Sequence, residues 1–180
     1  MRPVDTVSID VATFYHDYDN IRSVEPLGAG PTPIVIRNGL KATTYGGAIN
    51  VKWRVTHWWE LEGNATYLQS DFDREPGSRD TSNGRSEGND PDSSFAIRSA
   101  LDLPWNLKFD TMVRYVAELP DPATPSHTQL DLRLAWSPVA GLEVAVVGRN
   151  LLDDSHPEFR GRIITREVQR SVFGTFRWQF

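Results

Sequence analysis

The closing stretch Glu167 to Phe180, EVQRSVFGTFRWQF, limits the possible folds more than any other part of the chain. Taken two residues at a time, Val168, Val172, Gly174, Phe176, Trp178 and Phe180 share one face, interrupted only by Arg170. Glu167, Gln169, Ser171, Thr175, Arg177 and Gln179 share the other, with Phe173 as the exception. Alternation at period two marks a strand whose faces meet different surroundings. A core strand of a soluble β-sandwich has this period too. A strand closing on three ring-bearing residues also fits a wall with hydrocarbon on one side, where the last rings sit at the water boundary.

The same period returns along the chain. Val4 to Tyr18 sets Val7, Ile9, Val11, Thr13 and Tyr15 against Ser8, Asp10, Ala12, Phe14 and His16. Asp19 to Pro33 reads as a loop, with Pro26, Gly28, Gly30, Pro31 and Pro33 as breakers. After a short extension from Ile34 to Asn38, a second strand runs Thr43, Tyr45, Gly47, Ile49, Val51 and Trp53, and turns at Thr56-His57. The third carries Trp59, Leu61, Gly63, Ala65 and Tyr67 opposite Glu60, Glu62, Asn64, Thr66 and Leu68. Asp73 to Asp92 has no aliphatic or aromatic side chain and reads as a long functional or mobile loop. Further strands follow at Phe95 to Leu103, Leu107 to Tyr115, Gln129 to Trp136 and Leu142 to Arg149. Loops are expected at Glu118 to Ser126 and at Leu152 to Thr165. The reading is all-β, with about eight antiparallel strands.

Two asymmetries choose the solvent. Connections after the second, fourth and sixth strands are tight, whereas the others are long and polar, as in transmembrane barrels with short periplasmic turns and longer outer loops. The aromatic residues sort with them. Trp53, Trp58, Trp59, Trp105, Trp136 and Trp178 lie toward the tight turns, and Tyr15, Tyr18, Tyr45, Tyr67 and Tyr115 toward the long loops. From Trp59 to Tyr67 a tilted strand covers roughly 19 Å, and from Trp105 to Tyr115 roughly 23 Å, against an apolar band about 25 Å tall. Trp53, Trp58, Trp59, Trp105, Trp136, Tyr15, Tyr45, Tyr67 and Tyr115 are therefore expected to form the membrane-interface girdles, where an apolar ring and a polar handle are both satisfied. The opposite face carries mixed charge on every strand, the inverse of a soluble ligand-binding barrel. The expected architecture is an up-and-down transmembrane β-barrel wall with lipid outside and a polar lumen.

The totals are compatible with this. No run of about 18 apolar residues is present, so a spanning helix is not expected, and the mean hydropathy of −0.43 is blind to alternating strands. A net charge of −5 and the lack of long basic runs argue against a nucleic-acid partner. Without cysteine there is no disulfide framework and no thiolate metal site. The opening MRPVDTVSID lacks the apolar centre of a signal peptide, although an outer-membrane protein requires one. The expectation is a chain lacking its front. The alternative is a complete eight-stranded outer-membrane protein with a structural or adhesion role.

The segments FYHDYDNIRSVEP (Phe14 to Pro26), Asn38 to Phe72, Leu130 to Phe159 and the closing FGTFRWQF resemble the C-terminal barrel of TonB-dependent outer-membrane receptors. The likeness extends through essentially the whole chain. Its most specific piece is NLLD at Asn150 to Asp153, followed by HPEF and the aromatic last strand. The resemblance implies a plugged barrel of 22 strands, of which residues 1–180 are the C-terminal part, with the plug and earlier strands absent. It implies uptake of a scarce ligand, a small iron chelate such as a ferric siderophore before haem or cobalamin, driven through TonB by way of the N-terminal plug. It further implies that Phe176, Trp178 and Phe180 are the signal read by the barrel-assembly machinery.

Little else carries chemistry. His16, His57, His127 and His156 are scattered without zinc-site spacing. His127 and His156, beside long-loop ends, are weak candidates for touching iron or haem, against the plainer reading of loop histidines. Asp71, Asp73, Asp90 and Asp92 flank the long loop as oxygen donors for a hard cation, or simply as solvated charge. Ser126-His127 has no acid at hydrolase spacing, and Gly46-Gly47 precedes no helix, so it reads as a place of close strand packing. No enzyme activity, cofactor or resident metal is expected.

Overall fold

The computed structural model describes residues 5–29, 33–84, 87–160 and 165–180. The strands are β1 (Val7–Pro26), β2 (Ile34–Thr56), β3 (Trp59–Arg74), β4 (Ser93–Leu103), β5 (Leu107–Val116), β6 (Leu119–Pro120), β7 (Ala123–Thr124), β8 (His127–Trp136), β9 (Leu142–Arg149), β10 (Ser155–Arg160), β11 (Thr165–Gln169) and β12 (Ser171–Trp178). Eight of them form one antiparallel sheet in the order β1-β2-β3-β4-β5-β8-β9-β12, each beside its neighbour in the chain. β6 with β7 and β10 with β11 make two small hairpins on the connections. Among the described residues β1 and β12 each have a partner on one side only, so the sheet is open.

Register carries the apolar face across the sheet without a break. One row runs Trp53–Leu61–Ser99–Thr111–Leu132–Gly148–Val172, and the next Trp59–Leu101–Phe109–Leu134–Val146–Gly174. A third joins Leu103, Leu107, Trp136, Val144 and Phe176. Among the described residues no second layer covers these rows: Val146 is 57% exposed and Phe176 65%. The buried apolar side chains are few and small apart from Leu40. A soluble sandwich of this size would bury such rows between two sheets, each on the other.

The tight turns are built as expected. Pro104 fixes the first step between β4 and β5, and Trp105 and Asn106 both take left-handed φ values of 61° and 59°. Two successive positive φ angles match the right-handed twist of the flanking strands.

Three expectations are corrected. Asp19 to Pro26 is strand rather than loop, and β1 and β2 stay paired out to Pro26 and Ile34. Register shifts around Tyr18, Ile21 and Ser23, with Asn20 left-handed at φ 58°, change the phase of the alternation, which hid the strand from a period-two reading. β3 likewise continues to Arg74, so Asp71 and Asp73 are strand residues opposite Thr43 and Lys41. Glu167 to Gln169 belong to β11, paired with β10, and the final strand begins at Ser171. Arg170, the residue out of phase, lies at the break. Its N–H donates to the Asp154 carbonyl (2.9 Å) and its guanidinium meets the Asp154 carboxylate (3.1 Å). Val4, Gly30, Pro31 and part of the last expected loop lie outside the described residues.

Candidate functional site

The face opposite the apolar rows carries a belt of charge. Cross-strand pairing places Lys52, Glu62, Arg98, Met112 and Asp131 in one row and Arg54, Glu60, Ala100, Asp110 and Arg133 in the next. Lys52 reaches Glu60 (2.8 Å) and Glu62 (3.0 Å), and Arg98 bridges Glu62 (3.6 Å) and Asp110 (3.3 Å). Arg133 continues the chain, donating to Asp110 (3.3 Å) and to Glu143 (2.7 Å). A single exposed pair contributes about 0–1 kcal/mol, but linked pairs that share partners hold one another's geometry. The belt thus crosses from β2 to β9 with alternating sign. Phe173, the aromatic exception of the last strand, sits on this face under the Arg149 guanidinium, 5.2 Å from its ring centre. Phe14, His16 and Tyr18 follow one another on the same face, Phe14 stacked on His16 with ring centres 5.5 Å apart and Tyr18 tilted against His16 at 5.9 Å. Gly46 makes room for that ladder, since a Cβ there would meet the Tyr67 carbonyl and come within 2.9 Å of the Phe14 ring.

The residues expected to form girdles take these positions. Tyr15 pairs directly with Tyr45, and Tyr67 lies opposite Gly47. Tyr115 stacks on Phe95 at 5.3 Å. At the other end Trp53 and Trp136 are in apolar rows, the Trp59 indole N–H donates to Ser99 Oγ (3.0 Å), and Trp58 stacks on Trp59 across the turn. Trp105 projects from its turn and is 83% exposed. Tyr18 is at the Tyr level but on the charged face. Phe176 and Trp178 lie 6.1 Å apart on the apolar face, followed by a fully exposed Phe180.

Beyond the Tyr level, the long connection after β3 is tied down. Asp80, 1% exposed, accepts from the Val24 amide (2.9 Å), the Ser82 amide and hydroxyl (2.7 Å each) and the Asn83 amide (2.9 Å). Ser78 and Ser23 donate to Glu25 at 3.1 and 2.9 Å, which adds a second tie to β1. Burial pushes the Asp80 carboxyl up, but the Ser82 hydroxyl and the three amides outweigh it and hold the group below the usual carboxylate range. A depressed folded value means that the stabilisation is complete above the unfolded value of about 3.9 and is lost as pH falls through the folded one. A nitroxide label at the exposed Thr81 is therefore expected to gain mobility as pH is lowered past about 4, and to be mobile already at neutral pH in Asp80→Ala. Equal label mobility in both proteins at every pH would dismiss Asp80 as the tie.

The outer end of β8 and the β10–β11 hairpin bring together two residues that are distant in the sequence. His127 and His156 stack at 4.3 Å between ring centres, with planes 18° apart. Glu158 Oε1 is 3.9 Å from His127 Nε2 and accepts from Gln129 Nε2 at 3.1 Å. The hairpin is positioned by Asn150, left-handed at φ 51°. Its amide donates to Asp131 (2.9 Å) and its side-chain amide to the Val168 carbonyl (3.1 Å). That is the physical role of the NLLD segment: it ends β9 and aims the next hairpin. Asp71, Asp73, Asp90 and Asp92 are not assembled into a three-donor group among the described residues.

Residues 2–151 match the family model described as TonB dependent receptor-like, beta-barrel. No curated protein matches the sequence. Among solved structures, the ferric-catecholate import receptor Fiu of E. coli superimposes with TM-score 0.74 at 16% identity, covering 99% of this chain and 26% of that one. The FrpB iron transporter of Neisseria meningitidis gives 0.74 at 15% identity, covering 98% and 30%. The ferric yersiniabactin uptake receptor FyuA of Yersinia pestis gives 0.72 at 20% identity, covering 98% and 28%. This chain spans between a quarter and a third of the length of these proteins. At such identities the likeness concerns the fold, an antiparallel transmembrane barrel wall.

Proposed function

The chain belongs to the TonB-dependent receptor β-barrel family, and on that premise we propose that it forms part of the wall of an outer-membrane receptor for uptake of a small iron chelate. It is an outer-membrane β-barrel protein of a transport family rather than of an enzyme family. The observation that carries the reading is the two-faced sheet: apolar rows exposed on one side and a continuous ion-pair belt on the other. Hydrocarbon covers the first, and the second lines the lumen, where charge is tolerated because water and protein fill the space.

The open sheet supports a larger barrel, since a complete eight-stranded one would pair β1 with β12. Residues 1–180 are then the C-terminal portion of a barrel of about 22 strands with a plug, and TonB acts through that plug. A ferric siderophore is the preferred cargo because several structural neighbours are iron receptors by name. The Trp and Tyr positions form the two interface girdles, and Phe176, Trp178 and Phe180 are what the barrel-assembly machinery recognises.

The test is uptake of radiolabelled ferric chelates by cells with and without the full-length receptor. Uptake of at least one chelate should depend on both the receptor and TonB. Unchanged uptake of every iron chelate, in cells that display the receptor, would sink the cargo assignment.

A further inference from the structure

We propose that His127, His156 and Glu158 bind one divalent first-row transition-metal ion, which fastens the β10–β11 hairpin to the outer end of β8. The donors come from two elements, and one ligand atom from each lies within 4.8 Å of the other two. Tetrahedral binding at about 2.1 Å sets ligand atoms about 3.4 Å apart, so the site closes when one of the stacked rings turns until both in-plane nitrogen lone pairs point at one ion.

The second observation is the state of the histidines. His127 is 8% exposed and His156 6%. Both ring nitrogens of His127 and Nδ1 of His156 make no hydrogen bond of acceptable geometry among the described residues. Buried polar atoms in folded proteins are almost always partnered, so His127, with neither ring nitrogen bonded among the described residues, calls for a partner beside it. The neighbours suit an ion. Gln129 Nε2 stands 3.3 Å from His156 Nε2 and 3.1 Å from Glu158 Oε1, in the position an ion would take, and its flexible amide can turn aside. Asp153 Oδ2 lies 3.9 Å from His156 Nδ1, placed to orient the imidazole from behind as carboxylates do around histidine ligands. Arg114, 3.9 Å from Glu158, places a positive charge on this carboxylate and opposes binding.

The donor set names the ion class. Two imidazole nitrogens and one carboxylate oxygen suit Zn²⁺, Co²⁺, Ni²⁺ or Fe²⁺. Ca²⁺ and Mg²⁺ prefer oxygen alone, and copper(I) prefers thiolate. Burial of both rings admits a bare ion and excludes an organic chelate. The site is therefore separate from the proposed cargo, and its test does not depend on uptake.

The experiment is titration of the full-length receptor in detergent micelles with Co²⁺, read by visible d–d absorption and reversed by Zn²⁺. The expected result is a saturable component that His127→Ala, His156→Ala and Glu158→Gln each weaken by more than about tenfold. His57→Ala, at the opposite end of the sheet, should leave it unchanged. Heat-modifiable migration on gels confirms that each variant is folded, and His127→Gln serves if the alanine variant is not. Absence of saturable binding, or binding indifferent to His127 and His156 in folded variants, overturns the proposal.

Discussion

Replacing Leu132 by arginine is expected to destabilise the folded receptor in bilayers by about 2–4 kcal/mol, the cost of a cation at the lipid midplane. Leu132 lies in the middle of β8, between Tyr115 opposite Thr128 at one level and Trp136 at the other, in a row of the apolar face over which no second layer lies among the described residues. Its neighbour Arg133 points the other way, into the ion pairs with Asp110 and Glu143. Arg133→Leu removes those contacts but places no charge in hydrocarbon, so its cost should stay near that of partly exposed pairs, about 1 kcal/mol. Urea titration of receptor folded into vesicles measures both. Equal losses would mean that the two faces do not meet different media.

Deleting Phe180 is the second large effect, and it should act on assembly rather than on the folded barrel. The ring is fully exposed at the end of the last strand, so its removal sacrifices no packing within the chain. If the aromatic terminus is what the assembly machinery reads, the truncated full-length receptor should be synthesised normally and be largely missing from the cell surface. Surface labelling against total receptor gives the ratio. A normal ratio would reject the assembly role and leave Phe176 and Trp178 as ordinary lipid-facing residues.

The sheet could be read from sequence wherever its period was intact. β8 shows this best: Leu130, Leu132, Leu134 and Trp136 alternate with Asp131, Arg133 and Ala135, and all lie within the strand. The reading failed where local geometry shifts the phase. Between Tyr18 and Ser23 the bulges move side chains from one face to the other, and the strand looked like a loop. At Arg170 a single residue separates two strands in different sheets, which a continuous alternation of Val168 and Val172 concealed.

The outer rim was the least visible part. Asp80 gathers three amides and a hydroxyl from chain segments on both sides of a connection, which no spacing rule encodes. His127 and His156 were recognisable only as loop-end histidines. What joins them is the fold-back of the β10–β11 hairpin aimed by Asn150, a tertiary contact without a sequence period. Phe173 broke the pattern of its strand for an equally non-local reason, the guanidinium of Arg149 on the adjacent strand.

Single nitroxide labels placed in turn from Leu130 to Trp136, in the receptor reconstituted in bilayers, test the central assignment most directly. Collision with dissolved oxygen should be high at Leu130, Leu132, Leu134 and Trp136 and low at Asp131, Arg133 and Ala135, with a water-soluble nickel reagent largely excluded from the first group. Labels at Leu132 and Leu134 that meet the nickel reagent as often as one at Arg133 would contradict the claim that lipid covers the apolar rows.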